Sequence, residues 1–473
     1  MTSRPLEILL SLTRDGTRTL GAQIEDQIRG AVRAGILRPG APIPSTRDLA
    51  HQLRISRPLV VDAYAQLAAE GYLTLRQGAR PRVSAFARSR KAAVASPATP
   101  LPPPRFDFRP SIPDLSAFPR ARWLKAFRDA LGKMAADDFG YGDRHGCAVL
   151  RLALAEYLGR VRGVVAEPEQ IVITSGFAQG RGLACRALRA TGAKWIAFED
   201  PSYTEWEAVS RVGLEFLPIP VDEGGIRVDE LERSKADAVT LTPAHQFPTG
   251  VVMTGERRLE LLAWLCRRDA IAIEDDYDAE YRYDRAPVGA LQGMDPDRVI
   301  YAGTVSKTLA PALRMGWLVV PRRLLKAVQS EHALADFGCP RIDQHTLAEF
   351  IASGEFDRHL RRMRVRYRER RDVLLATLAT ELPEVEIDGI AAGLHATVRL
   401  PAGHDEEAIR EQARRRGIAL EFMSEHFVGR RKGPPTLLLG YGRSAESTIR
   451  AGVRALAAAI RAAQVGGLKR SRA

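Results

Sequence analysis

Lys307 sits in Thr304-Val305-Ser306-Lys307-Thr308, among small hydroxyl residues, and Arg314 follows seven positions later. An amine flanked by anion-binding groups suits an aldehyde that also carries a phosphate. Pyridoxal 5'-phosphate answers that description, held as a Schiff base on Lys307 with Arg314 on its phosphate. Alone, a Ser-Lys-Thr triplet reads more readily as a basic surface loop; the residues upstream shift the balance. In Glu274-Asp275-Asp276-Tyr277-Asp278, an aspartate buried at a strand end requires a cation. A protonated pyridine nitrogen supplies one and keeps the ring an electron sink, and Tyr277 is spaced to hydrogen-bond the ring's phenolic oxygen. An acidic cluster is also a common solvated loop or metal site, although no His or Cys lies within this one. Ser175-Gly176-Phe177-Ala178-Gln179-Gly180 opens a helix with a glycine that lets successive N–H groups face an anion; an ordinary strand-to-helix turn has the same composition. Tyr203 suits either stacking on a flat heteroaromatic ring or a plain core position.

These stretches need elements that bring them together. Each follows an apolar run: Gln170–Thr174, Trp195–Glu199, Ala238–Thr242 and Ala270–Glu274. Such runs alternating with helical patterns predict a mostly parallel sheet covered on both faces, with ligands beyond its strand ends. This large domain is expected over residues 106–465. It is preceded by a linker over 86–105, rich in Ala, Arg, Ser and Pro and expected to be extended. Residues 15–85 read as a separate module. Helical apolar spacing runs through Leu20, Ile24, Ile28 and Val32. A second helix opens with Ser45 as N-cap and Asp48 behind it, and a third with Ser56 as N-cap and Pro58 in its first turn. A hairpin follows over 70–83 with Gly78 in its turn. Two helices and a tight turn make a helix-turn-helix; the hairpin makes a wing.

The chain of 473 residues carries a formal net charge of +13. Through Lys91 it has 15 Lys and Arg against 7 Asp and Glu, which suggests a polyanion partner for the first module. The four cysteines, Cys147, Cys185, Cys266 and Cys339, have no metal-ligand or redox spacing, and no metal site is expected. No signal peptide or membrane-spanning run is apparent, so a reducing cytoplasm is expected.

The first module resembles the winged helix of the GntR superfamily of bacterial repressors, through Pro-Ser-Thr-Arg (44–47), Leu-Ala (49–50), Ser-Arg (56–57), Ala-Tyr (63–64), Leu67 and Glu-Gly-Tyr-Leu (70–73). The resemblance implies double-stranded DNA as partner, with the third helix in a major groove and contacts from Ser45, Arg47, Ser56 and Arg57; the wing departs from the family's pattern at Gly-Ala-Arg-Pro (78–81), where Arg80 and Arg82 are expected to reach the minor groove or phosphate. For the arginines, phosphate and base-edge contacts remain alternatives. The order of anion turn, aromatic, Pro-Thr-Gly, Asp-x-Tyr and Ser-Lys with a later Arg resembles the fold-type I pyridoxal-phosphate aminotransferases. That resemblance makes Lys307 the Schiff-base lysine, pairs Asp275 with the pyridine nitrogen, puts Tyr277 on the ring oxygen and stacks Tyr203 on the ring. It puts Ser175, Gly176, Phe177, Thr304, Ser306 and Arg314 around the phosphate. Tyr141 would reach the partner subunit's phosphate, so a homodimer is implied. Two positions depart from the pattern. Phe247 stands where those enzymes have asparagine, with Gln246 or His245 as substitutes for it. Leu438 stands where they carry the arginine that clamps the substrate carboxylate, with Arg443 nearby.

The fusion resembles the MocR-type transcriptional regulators. The expected architecture is a winged helix-turn-helix (α+β) followed by an α/β aminotransferase-like fold of type I with a small C-terminal α+β subdomain. The expected function is a pyridoxal-phosphate-dependent regulator that senses an amine, an amino-acid-like effector or pyridoxal phosphate itself. The alternative is an active aminotransferase with an appended DNA-binding domain. The basic run His359–Arg371 carries Leu360, Met363 and Tyr367 at helical spacing, so it is expected to be a packed helix with solvated or paired arginines.

Overall fold

The N-terminal helices follow from their apolar stripes and caps. In the computed structural model, which describes residues 10–14, 16, 18–85, 103–203, 209–283, 288–336, 338–429 and 434–470 (side chains to 464), α1 spans Leu20–Arg33 and buries Ile24, Ile28 and Val32. The expected linker, apart from Pro103, Pro104 and Arg105, lies outside the described residues. Helix α2 (Thr46–Leu53) opens with the capping box between Ser45 and Asp48 and ends at Arg54 in a left-handed conformation. Helix α3 (Arg57–Ala69) begins after Ser56, whose side chain makes no capping bond, contrary to expectation; Pro58 in the first turn leaves one fewer N–H to cap. The Tyr64 hydroxyl donates to the Pro44 carbonyl at 2.9 Å, tying α3 to the entry of α2. Glu70, at the end of α3, receives two bonds from the Arg29 guanidinium of α1. Strands β1 (Leu73–Thr74) and β2 (Arg82–Val83) pair antiparallel as the wing, with Gly78 at φ +75° in the turn. Tyr64, Leu67 and Leu73 are core residues.

The chain divides into two units, Met1–Pro102 and Pro103–Ala473. The second begins with β3 (Phe106–Asp107), α4 (Arg120–Lys133) and α5 (Ala148–Arg162). Strand β4 (Ile171–Thr174) leads into α6 (Phe177–Ala190). The sheet continues with β5 (Trp195–Asp200), β6 (Glu215–Asp222), β7 (Gly225–Ile226), β8 (Ala238–Leu241), β9 (Ile271–Asp276), β10 (Val299–Thr304) and β11 (Gly316–Val319). The spatial order is β4-β11-β10-β9-β8-β5-β6-β7. The five strands from β10 to β6 run parallel, and β11 is antiparallel to both β10 and β4. Every residue of β4, β8, β9, β10 and β11 is buried, the pattern of a sheet covered on both faces. Thr174, Asp200, Leu241, Asp276 and Thr304 therefore end at one edge of the sheet, and the loops beyond them carry the chemical stretches.

A second sheet, ordered β12-β13-β16-β15, is antiparallel; its strands are β12 (Glu386–Asp388), β13 (His395–Arg399), β15 (Glu421–Phe422) and β16 (Thr436–Gly440). Strand β14 (Ile418–Ala419) pairs with β3, so the first residues of this unit pack into its C-terminal part. Helix Glu355–Glu381 buries Leu360, Met363 and Tyr367. Its arginines are paired as expected: Arg366 and Arg370 hold Asp114, and Arg364 bonds the Glu280 carbonyl. Among the described residues no helix is long and apolar enough to cross a membrane.

Candidate cofactor pocket and nucleic-acid interface

The three acids of β9 separate by strand alternation. Glu274 accepts the backbone N–H groups of Leu291 and Gln292, both at 2.9 Å. Asp276 accepts from Arg162 Nε and from the Tyr301 hydroxyl, both at 2.7 Å. Asp275 points to the other face, and neither of its buried carboxylate oxygens has a hydrogen-bond partner. Burial pushes its pKa well above the usual carboxylate range; Arg181 opposes this, Asp276 adds to it and Lys307 opposes it. A buried carboxylate without a partner calls for a cation, and the protonated ring nitrogen of pyridoxal phosphate is one. The residues present therefore fit the group.

Lys307 follows β10 on a short loop. Its Nζ donates to the Ser111 carbonyl at 2.8 Å. Burial lowers the pKa of the amine, while Asp278 and Asp275 push it back up. A lysine depressed in this way is a better nucleophile than one in water. Ser111 has φ +60°, the left-handed region that non-glycine residues rarely adopt, and its buried hydroxyl has no partner. The Tyr277 hydroxyl is 3.0 Å from His245 Nδ1 and 3.1 Å from the His245 carbonyl. Tyr203 lies parallel to Phe247, with centroids 4.6 Å apart and 10° between planes, and meets the Tyr277 ring edge-on. Phe247 thus packs as an aromatic neighbour of Tyr203.

At the anion turn, Gly176 caps α6 with φ +101°, and a Cβ there would lie 3.5 Å from the Arg314 guanidinium. Arg314 itself holds φ +46° and is exposed. The Thr304 and Ser306 hydroxyls are 2.9 Å apart. Phe177 is the first residue of α6, and the Ser175 N–H donates to Gln179 Oε1 at 2.6 Å. The structure thus brings Lys307, Asp275, Tyr277 and Tyr203 together, sets Gly176 beside Arg314, and sets the Thr304 hydroxyl beside that of Ser306.

Two residues stand differently from the substitute roles the sequence offered them, Gln246 and Arg443. The Gln246 amide is fully engaged in its own turn: Nε2 donates to the Pro201 and Phe247 carbonyls, and Oε1 accepts from the Thr249 N–H and hydroxyl. It offers no donor to a ring oxygen. Arg443 is paired with Asp107, which also holds Arg109, so it is no ready carboxylate clamp. Leu438 is fully buried within β16. Tyr141 is 81 % exposed. Sequence reasoning missed Ser111, which acts through its backbone, and Arg181, a buried cation acting on Asp275. It also gave no role to Asp278, although it quoted the cluster that contains it.

In the first unit, Arg47 and Arg57 are exposed in the first turns of α2 and α3, and Ser56 and Arg80 are exposed beside them. The Ser45 hydroxyl accepts from the Asp48 N–H, so its first role is to fix the start of α2. Arg82 donates to the Gly40 carbonyl at 2.9 Å, bracing the wing. Exposed basic side chains thus stand on both helices of the helix-turn-helix and on the wing.

The fold and the two sites define a DNA-binding winged helix joined to a pyridoxal-phosphate-dependent aminotransferase-like domain. Residues 20–83 match the gntR family of bacterial regulatory proteins, and residues 112–419 match aminotransferase class I and II. The HTH-type pyridoxine biosynthesis transcriptional regulator PdxR of Corynebacterium glutamicum is 32% identical over 94% of this chain and 96% of its own length. The probable rhizopine catabolism regulatory protein MocR of Rhizobium meliloti is 32% identical over 97% of both chains. Among solved structures, the alpha-aminoadipate aminotransferase LysN of Thermus thermophilus, complexed with N-(5'-phosphopyridoxyl)-L-leucine, is 27% identical. It superposes with a TM-score of 0.67 over 76% of this chain and 93% of that one. The chain belongs to the MocR-type, GntR-superfamily transcriptional regulators, whose cofactor is pyridoxal 5'-phosphate.

Proposed function

We propose that the protein is a homodimeric regulator in which Lys307 reports the arrival of an effector to the DNA-binding unit. Pyridoxal phosphate, when bound, supplies an aldehyde that condenses reversibly with amines. Asp275 would hold the ring nitrogen, Tyr277 the ring oxygen and Tyr203 a ring face. Gly176, Arg314, Thr304 and Ser306, with Ser175 and Phe177 at the head of α6, would hold the phosphate, with Tyr141 of a second copy completing it. Lys307 is then the protein's own amine for that aldehyde. An amine effector competes with it, and an empty pocket frees it; each outcome leaves Lys307 differently bonded. A ligand that distinguishes two conformations shifts their populations, and hence the DNA-bound state.

The observation that carries this reading is the unpartnered Asp275 carboxylate in the same pocket as a half-buried lysine, on a chain with a basic winged helix. Two effector classes follow, pyridoxal phosphate itself and a small amine. Leu438 is buried and Arg443 is paired to Asp107, so neither position clamps a carboxylate, which favours the first over a simple amino acid. The related PdxR is named for pyridoxine biosynthesis and MocR for rhizopine catabolism, so both classes have a precedent.

The test is borohydride reduction of purified protein supplied with pyridoxal phosphate, followed by peptide mass analysis and by binding to its own promoter DNA. The expected result is a phosphopyridoxyl group on Lys307 and a change in DNA binding between loaded, empty and amine-treated protein. An unmodified Lys307 in folded protein would overturn the reading. Intact Lys307 and Asp275 also support the second reading, a working aminotransferase. Efficient multiple turnover with amino donors and keto acids would establish it.

A further inference from the structure

His245 connects three parts of the large unit. It lies in the turn after β8, and its Nδ1 is 3.0 Å from the Tyr277 hydroxyl and 3.1 and 3.3 Å from the two Asp278 carboxylate oxygens. His245 is 1 % exposed and Asp278 2 %. The pair is sealed by backbone. A Cβ on Gly393 would come within 2.1 Å of His245 Cε1 and 2.6 Å of Asp278 Oδ2. The carbonyl of that glycine receives the Tyr283 and Tyr441 hydroxyls at 2.7 and 2.8 Å. Two tyrosines thus fix the segment that closes the pair from the C-terminal side.

Protons must be distributed among these groups. An ionised carboxylate only accepts, so the ring nitrogen facing Asp278 carries the imidazole hydrogen. The same N–H faces the Tyr277 oxygen, whose single hydrogen then goes either to the His245 carbonyl at 3.1 Å or to an acceptor brought into the pocket. A tyrosine oxygen that accepts from a carboxylate-backed imidazole is a stronger donor, because successive hydrogen bonds polarise one another. Such an arrangement does nothing for packing that a phenylalanine would not do. It acts on whatever acceptor the Tyr277 hydroxyl meets.

We propose that His245 and Asp278 form a relay that holds Tyr277 as hydrogen-bond donor to the cofactor's ring oxygen, and so sets the pH at which the bound cofactor changes colour. This rests on the reading of Lys307 and Tyr277 as the cofactor site. His245 and Asp278 are positioning residues: they act through Tyr277. The charged and titratable groups facing Tyr277 are Asp275 from β9, Asp278 from its own loop, His245 from the turn after β8, Glu199 from β5 and Tyr203 from the turn after it. Lys307 faces both aspartates. His395 lies behind His245, with centroids 5.1 Å apart, and is influenced in turn by His426. Burial pushes His395 down to about 3, so it stays neutral at working pH and does not compete for the relay's proton.

The experiment is a pH titration of the visible absorbance of full-length, cofactor-loaded protein in four forms: unaltered, His245→Phe, His245→Asn and Asp278→Asn. Without the imidazole, Tyr277 is a weaker donor and the ring oxygen is left more basic, so the proton it shares is lost at higher pH. The midpoint for His245→Phe should rise by about one pH unit, a tenfold change in proton affinity. His245→Asn returns an N–H near the Nδ1 position and should restore most of the original midpoint. Asp278→Asn removes the backing of the imidazole and also a charge that holds a proton at Lys307, two effects of opposite sign, so its midpoint should lie below that of His245→Phe. Equal midpoints in all four forms, each carrying the borohydride-fixed label on Lys307, would overturn the relay and leave the cofactor site standing. Should His245→Phe fail to fold, the smaller His245→Leu decides: an unchanged midpoint there overturns the proposal. A wild-type protein that takes up no label at Lys307 refutes the cofactor reading itself.

Discussion

At the residue scale the pocket is defined by one unmet need. Strand alternation gives Glu274 and Asp276 hydrogen-bond partners within the protein and leaves both oxygens of Asp275 without one. This has a consequence for stability without cofactor. Asp275 is pushed well above the usual carboxylate range, first by burial, and burial raises Glu199, Glu274 and Glu280 to about 7. Each of these groups holds its proton more tightly folded than unfolded. Their contribution is complete below the unfolded values and is lost as pH rises through the folded ones. Cofactor-free protein should therefore lose thermal stability between about pH 5 and 8. Asp275→Asn removes one of these groups and should flatten that slope, stabilising the empty protein at pH 8 by roughly 1–3 kcal/mol. The same change should weaken pyridoxal phosphate binding at least tenfold. A slope of the same steepness in Asp275→Asn, by calorimetry across the range, would show that the aspartate is not the unsatisfied group. Residue type made Lys307 and Asp275 legible in the sequence, since few other side chains do their chemistry. Ser111 was not legible, because it contributes a carbonyl, which every residue has. Gln246 misled, because an amide near a predicted pocket serves its own turn equally well.

At the element scale the anion turn depends on backbones packed against one another. A Cβ on Gly316 would lie 2.8 Å from the Gly303 carbonyl oxygen and 3.0 Å from Gly176 Cα. Strand β11, strand β10 and the turn before α6 can meet only because these positions carry no side chain. Gly316→Ala should force the strands apart, destabilise the large unit by about 1–3 kcal/mol and lower cofactor affinity by an order of magnitude or more. Gly132, within α4, has nothing within 4 Å of its Cβ position. Gly132→Ala should therefore stabilise by up to about 1 kcal/mol through helix propensity. Thermal melts and a cofactor titration on the two variants separate close packing from a general intolerance of alanine. The strands that place these turns were readable as apolar runs, and their order along the chain indicated a parallel sheet. The antiparallel insertion of β11 between β4 and β10 was not readable, because a buried strand looks the same in either direction. The helix caps divide similarly. Ser45 with Asp48 is a local pattern and formed as spaced, whereas the side chain of Ser56 was free to turn elsewhere.

At the scale of the whole molecule, two units with different chemistries share one chain, and each can be removed from the other's behaviour. The first unit presents exposed Arg47, Arg57 and Arg80 on its helices and wing. Its DNA affinity should fall as a power of salt concentration, because each neutralised phosphate releases counterions. If Arg47 and Arg57 contact phosphate, Ala at either position should lower the magnitude of the log–log slope by about one. If either reads a base, its replacement should relax sequence preference more than the slope. Lys307→Ala leaves that face untouched. It should keep the salt dependence and the affinity for promoter DNA of the empty protein, and lose the change that cofactor or amine otherwise produces. The measurement is fluorescence anisotropy of promoter DNA over a salt series, with and without pyridoxal phosphate. Two curves that separate for the unaltered protein and coincide for Lys307→Ala are what a coupled sensor requires, since a ligand that binds both states equally shifts neither. Curves that separate equally in both proteins would mean that the signal bypasses the lysine, and that occupancy of the pocket, rather than the covalent state of its amine, is what the DNA-binding unit reads.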